Sequence, residues 1–256
     1  MSSLIRLFCI GHVRPLFSPP LPYRMLCPNP LGMPGELVIP DNRFGEHIDG
    51  GCLAEYSQLF RLYELIEAGD VSADRLYLFQ YRKFIGFRRG GLPATSPWIR
   101  IVGRVEADQL FPSMEAMEST TSKAIVGSMF ELGGTISQNY ALVHVIDDLV
   151  MFSACFQPCG LDQSDIRRFA TFGGFIPSPA LCLIDVDLFL RLMRTLRMVW
   201  NEYAKHYYIL RTGYQKRSAG YLLERLHSYL LCKWLMDGSQ TDIGVGHRFV
   251  VSDQIA

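Results

Sequence analysis

The sequence predicts an α/β fold, and three observations carry that expectation. Short, β-rich apolar runs alternate with amphipathic helical stretches along the chain, the pattern that builds a mostly parallel central sheet flanked by helices. The chain has 256 residues, a length that suits one large domain with a real core. Apolar residues make up 49% and charged residues 20%, which excludes a disordered chain.

Residues 4–10 read as a first buried strand, closed by Gly11-His12. Prolines at 15, 19, 20, 22, 28, 30, 34 and 40 crowd the next segment, so residues 15–50 are expected to be irregular, with a short strand at Glu36–Ile39. From Cys52 to Ala68, Leu53, Tyr56, Leu59, Tyr63 and Ile66 recur at helical spacing, with a start near Asp49 and a stop at Gly69. Residues 75–81 then give a strand buried on both faces, and 98–106 another. Residues 112–130 fit no single pattern. A helix is expected over 137–156, a short one over 161–170, and a strand at Leu181–Ile184.

Asp185 or Asp187 caps a long helix carrying Leu188, Leu192, Leu196 and Tyr203 on one face. A last helix runs from about Ala219 to Met236 and stops at Asp237-Gly238. Residues 185–238 thus form a helical C-terminal part of a single domain spanning 1–256.

The chain carries 25 Lys+Arg and 25 Asp+Glu, a net charge of zero. Such a balance lacks the general attraction that a nucleic-acid polyanion needs, so no nucleic-acid partner is expected. Arg82, Lys83, Arg88 and Arg89 concentrate positive charge after one buried strand, which suits a small, doubly charged ligand. No apolar run reaches membrane-span length, and the N-terminal run holds Arg6 and lacks a small-residue cleavage site, so neither a span nor a signal peptide is expected. The seven cysteines include no Cys-x-x-Cys pair and read as reduced, mostly buried thiols of a cytoplasmic protein.

Four constellations could carry chemistry. Tyr81-Arg82-Lys83 stands at the carboxyl end of a strand, where open α/β sheets bind ligands; a planar fork, a point charge and a phenol suit a phosphate or diphosphate there. Glu224-Arg225 lies in the last helix, its two residues about 100° apart on either flank of the buried stripe. Tyr140, His144 and Asp147-Asp148 form a third group, in which His144 and Asp148 share a helix face. Asp185-Val186-Asp187 is a D-x-D pair that could hold Mn or Mg by oxygen ligands, although capping of the following helix explains it with less. Each of the four also has a plain structural explanation as a solvated strand end, a charged shoulder, a surface pair or a cap.

The chain resembles a family of bacterial glycosyltransferase-like proteins from capsule, exopolysaccharide and O-antigen gene clusters. Members carry Glu-Leu-Thr-x-Leu-Tyr-Trp in an early helix, a strand ending Gly-Leu-x-His-Tyr-Arg-Arg, and Gly-Phe-Leu-x-Glu-Arg-Leu near the C-terminus. The corresponding segments are Glu55–Arg61, Leu76–Lys83 and Gly220–Leu226, with Ile5–His12 resembling the first strand and Tyr140, His144 and Asp148-Leu149 a middle segment. Gln80 replaces the motif's His, Lys83 its last Arg and Leu223 a frequent Ser.

The resemblance implies a GT-A-like fold and transfer of a hexose from a nucleotide-diphosphate sugar to a surface-polysaccharide or O-antigen acceptor. Tyr81, Arg82, Lys83, Arg225, His12 and Glu55 would bind the donor. Glu224 would be the base, with Asp148 second and Glu55 third. Tyr140 and His144 would meet the acceptor. Strand-end cations make a metal-independent reaction the expectation, with Mn or Mg at Asp185 and Asp187 as the alternative. The implied partners are the nucleotide sugar and a glycan or lipid-linked glycan, in the cytoplasm or peripheral to the inner membrane. A catalytically degenerate sugar- or nucleotide-binding subunit of another transferase is the rival function.

Overall fold

The computed structural model describes residues 3–39, 50–96, 98–237 and 242–254. The strands are β1 (Ile5–Ile10), β2 (Arg24–Cys27), β3 (Leu37–Val38), β4 (Arg75–Gln80), β5 (Lys83–Gly86), β6 (Leu92–Pro93), β7 (Arg100–Val102), β8 (Ala124–Gly127), β9 (Phe130–Glu131), β10 (Gly174–Phe175), β11 (Cys182–Asp185) and β12 (Ile243–Val251). The helices are α1 (Tyr56–Glu67), α2 (Arg104–Leu110), α3 (Met114–Glu118), α4 (Ile136–Val143), α5 (Ile146–Ala154), α6 (Gln163–Thr171), α7 (Val186–His206) and α8 (Ser218–Asp237).

The main sheet runs β3-β2-β1-β4-β11-β8-β12-β7-β6, and β5 pairs with both β4 and β12. Strands β3, β2, β1 and β4 are parallel to one another, as are β8, β12 and β7. Strand β11 runs antiparallel to both β4 and β8, and β5 and β6 are antiparallel as well. The sheet is therefore mixed, which corrects the expectation of a mostly parallel one. The reversal follows from chain path. Strand β11 pairs beside β4 without the same-direction crossover that parallel pairing needs, and β5 returns from β4 through a two-residue turn.

Both faces of the sheet are covered, and the strands show why. In β1, Ile5, Leu7 and Cys9 enter one core while Phe8 and Ile10 enter the other; in β4, Tyr77 and Phe79 join the first and Leu76 and Leu78 the second. This period of two sends alternate side chains to opposite layers. One layer holds α1, α7 and α8, whose Leu59, Leu192, Leu196, Leu222 and Leu226 are buried together. The opposite layer is aromatic, with Phe17, Phe84 and Phe111 clustered around Phe79. Burying one such side chain contributes about 1.5–3 kcal/mol.

Several boundaries differ from expectation. The proline-rich stretch supplies a sheet strand, β2, besides the short β3. The strand expected over 98–106 ends at Val102, because Gly103 starts α2 instead. The helix expected over 137–156 is two helices, broken where His144 adopts an extended backbone. Asp185 does stand at the start of α7, but its side chain makes no cap hydrogen bond and pairs with Arg75 at 2.9 Å. The expected helix signals Asp49 and Gly238 lie outside the described residues. Among the described residues, no helix is long and apolar enough to cross a membrane.

Candidate functional site

Strands β1 and β4 are parallel and in register, with Ile10 opposite Gln80. Their carboxyl ends therefore release Gly11-His12 and Tyr81-Arg82 side by side. A cavity of about 390 Å³ opens there, walled by those segments, by Pro28 after β2, by the start of α1 and by Glu224 of α8. It holds His12, Glu55, Tyr81, Arg82, Lys83 and Glu224 from the sequence-predicted set.

The cationic side is built by a hairpin. Gln80 pairs with Lys83, so Tyr81-Arg82 is a tight turn and Lys83 begins β5 rather than trailing into solvent. The turn is fixed by its backbone: the Tyr81 carbonyl accepts from the Leu16 N–H at 2.8 Å, and the Arg82 carbonyl accepts from the Val251 N–H at 2.8 Å. The Arg82 guanidinium lies 5.4 Å from the Tyr81 ring centroid, and His12 meets the same ring edge-on at 5.6 Å. Burial lowers the Lys83 pKa, while the carboxylates of Glu55 and Glu224 oppose that shift.

The carboxylate side depends on close approach of α8. A Cβ at Gly220 would stand 2.9 Å from the Ala54 Cβ and 3.2 Å from the Leu53 backbone, so glycine lets α8 press onto the turn before α1. That contact brings Glu224 to Glu55. Burial first, and the Glu224 charge second, raise the Glu55 pKa from the ordinary 4.5 to about 6. The Glu224 Oε1 accepts the Ser178 N–H at 2.9 Å.

Among the described residues, the non-glycine residues with positive φ are Ala54 (49°) and Ser178 (49°). Both line this cavity. Left-handed backbone at such residues costs on the order of 1–3 kcal/mol and collects where structure serves a site. Here it sits beside both carboxylates: Ala54 precedes Glu55 in the chain, and the Ser178 N–H donates to Glu224. The wall thus combines cations that can neutralise a diphosphate with a carboxylate pair that can hold or move a proton.

Four predicted site residues lie elsewhere. Arg225 projects from the other flank of α8, 4.8 Å over the Tyr140 ring, and donates to the Tyr221 carbonyl and the Asn139 Oδ1. Asp148 is buried and bonded to Arg211 at 2.7 Å, so its carboxylate is already neutralised. His144 bonds Gln215 at 3.1 Å and packs among Tyr140, Tyr214 and Tyr221. The Asp185-Asp187 pair also stands away from the cavity. Asp185 is opposite Arg75 at the start of β4, about 17 Å of extended chain from Gln80. Among the described residues, no group of three or more His, Cys, Asp or Glu is placed to hold a metal ion.

The cavity also takes Gln58, Gln80, Ser178 and Arg217, which carried no predicted role. Arg217 stood in sequence beside Lys216 just before the last helix, a weak basic signal. Ser178 had no signal, since its role rests on its backbone. The basic cluster after β4 is split: Arg88 donates to the Gln109 carbonyl at 2.8 Å, and Arg89 lines a different cavity.

No protein-family model matches the sequence, and no curated protein does. Among solved structures, the fold is similar to the apo form of WbbM, a bifunctional glycosyltransferase, with a TM-score of 0.76 and 15% sequence identity. The match covers 97% of this chain and 45% of that one, so this chain spans under half of WbbM's length.

Proposed function

We propose that the chain is a glycosyltransferase that moves a hexose from a nucleotide-diphosphate sugar to a surface-polysaccharide or O-antigen acceptor, without a metal. The observation that carries this reading is the strand-end cavity, where Arg82, Lys83 and Arg217 face the carboxylate pair Glu55 and Glu224. The fold likeness to a glycosyltransferase agrees with it.

Glycosyl transfer needs the leaving diphosphate neutralised and the acceptor hydroxyl deprotonated. Arg82 and Arg217 offer planar forks and Lys83 a point charge for the first task. Tyr81 and His12 shape the donor pocket around them. For the second, a carboxylate with pKa about 6 is mostly ionised at neutral pH and still a competent proton acceptor. Glu224, anchored by the Ser178 amide, keeps the pair in place. This moves the base from Glu224 first, Asp148 second and Glu55 third to the Glu55–Glu224 pair.

One observation favours a second reading. Gln80, where the resembled family carries His, lines the cavity itself. A subunit that binds a nucleotide sugar without turning it over would show this change at the site. A thermal-shift screen of nucleotide diphosphates and nucleotide sugars, with and without manganese, followed by transfer assays, separates the two. A ligand at 100 times its Kd stabilises by about 2.7 kcal/mol. Stabilisation with turnover supports the transferase, stabilisation without turnover supports the binding subunit, and no stabilisation by any nucleotide contradicts both.

A further inference from the structure

A second cavity, of about 320 Å³, lies where β12 and β7 meet the end of β8, lined by Arg89, Trp98, Arg100, Ser128, His247 and Arg248. It contains three guanidinium groups, and among the described residues no carboxylate lines it. Arg248 is 3% exposed, and its Nε, Nη1 and Nη2 have no hydrogen-bond partner among the described residues. A buried guanidinium without partners is costly, and the cost is removed when an anion accepts its protons.

The surroundings are arranged around that side chain. A Cβ at Gly127 would collide with the Arg248 guanidinium, so glycine keeps the space it occupies. Arg100 is held by the Gly90 and Gly91 carbonyls, and Trp98 stacks on Phe130 with ring centroids 3.9 Å apart and 5° between planes. Burial, followed by the charges of Arg89 and Arg100, lowers the His247 pKa; burial also lowers the Arg248 pKa, and the charge of Glu224 in the first cavity opposes that shift. Flat aromatic surface beside converging forks is the chemistry that recognises a sugar ring bearing an anionic group.

We propose that this second cavity binds the phosphate or carboxylate of an anionic sugar unit, with Arg248, Arg89 and Arg100 as its ligands and Trp98 beside the ring. The assignment to the glycan acceptor rests on the transferase reading; the anion site itself does not.

Calorimetric titration of the whole chain with glucose 6-phosphate, glucuronate and glucose tests it. Binding of either anionic sugar, with none for glucose, is expected, and the two arms tell phosphate from carboxylate. Arg248→Met should weaken binding roughly tenfold or more, the value of a lost charged hydrogen bond. It should also raise the melting temperature of the unliganded chain, because it removes an unpaired buried charge. Arg89→Ala, at an exposed position, repeats the binding test with little risk to folding. Absence of binding by both anionic sugars, unchanged affinity in Arg89→Ala, or loss of binding in Arg82→Ala would overturn the proposal. Nucleotide-sugar binding, measured in parallel, separates the two readings. If it persists without anionic-sugar binding, only the second site fails; the converse removes only the donor site.

Discussion

The two flanks of α8 use similar residues to opposite ends. On one, Glu224 faces Glu55, Lys83 and Arg217 across a cavity edged by left-handed Ala54 and Ser178. On the other, Arg225 rests on the Tyr140 ring and bonds Asn139, with Asp148 neutralised by Arg211 nearby. On the second flank the charged groups are paired, and they hold the helices together. The first keeps charges facing open space and a strained backbone, which is where a ligand gains by binding.

Substitutions should separate the flanks. Glu55→Gln and Glu224→Gln are each expected to lower transfer by roughly 10²-fold or more while donor affinity is nearly kept, measured as kcat against Kd. An equally large loss in Asn139→Ala would erase the contrast. Gly220→Ala forces α8 off the Ala54 turn and should cost about 1–3 kcal/mol in denaturant unfolding, with activity falling alongside.

Asp148→Ala leaves Arg211 without its partner and should destabilise by about 2 kcal/mol, reduced from the fully buried case because Arg211 reaches solvent. Donor affinity should not change, which marks that flank as structural. The smallest effect concerns pH. The Glu55 pKa is raised in the fold, from 4.5 to about 6, so its ionised form destabilises the native state above pH 6 and has no effect below 4.5. Glu55→Gln should therefore stabilise by about 1 kcal/mol at pH 8, with the gain fading between pH 6 and 4.5 in thermal melts.

Much of the first flank was legible in the sequence because the chemistry followed strand ends. Residue types at the end of an apolar strand placed Tyr81, Arg82 and Lys83, and helical period placed Glu224 beside the core. The adjacent Arg225 shows the limit of spacing. About 100° of helix rotation put it on the far flank, which only packing decides.

Strand β12 escaped notice because Gly244, Gly246, His247 and Arg248 interrupt its apolar pattern. Gly246 is required there, since a Cβ would press on Ile85 and the Gly86 carbonyl, and Arg248 fills a buried basic site. Strand direction was equally hidden, because β11 looks the same in sequence whichever way it runs. The split between α4 and α5 carries neither proline nor glycine to announce it.

A nucleotide diphosphate is the proposed occupant of the strand-end cavity. Calorimetric titration of a nucleotide diphosphate into the unaltered chain and Arg82→Ala, with transfer assayed on both, tests it most directly. At least roughly tenfold weaker binding and a matching loss of turnover are expected in the variant. Equal affinity and equal turnover would contradict it.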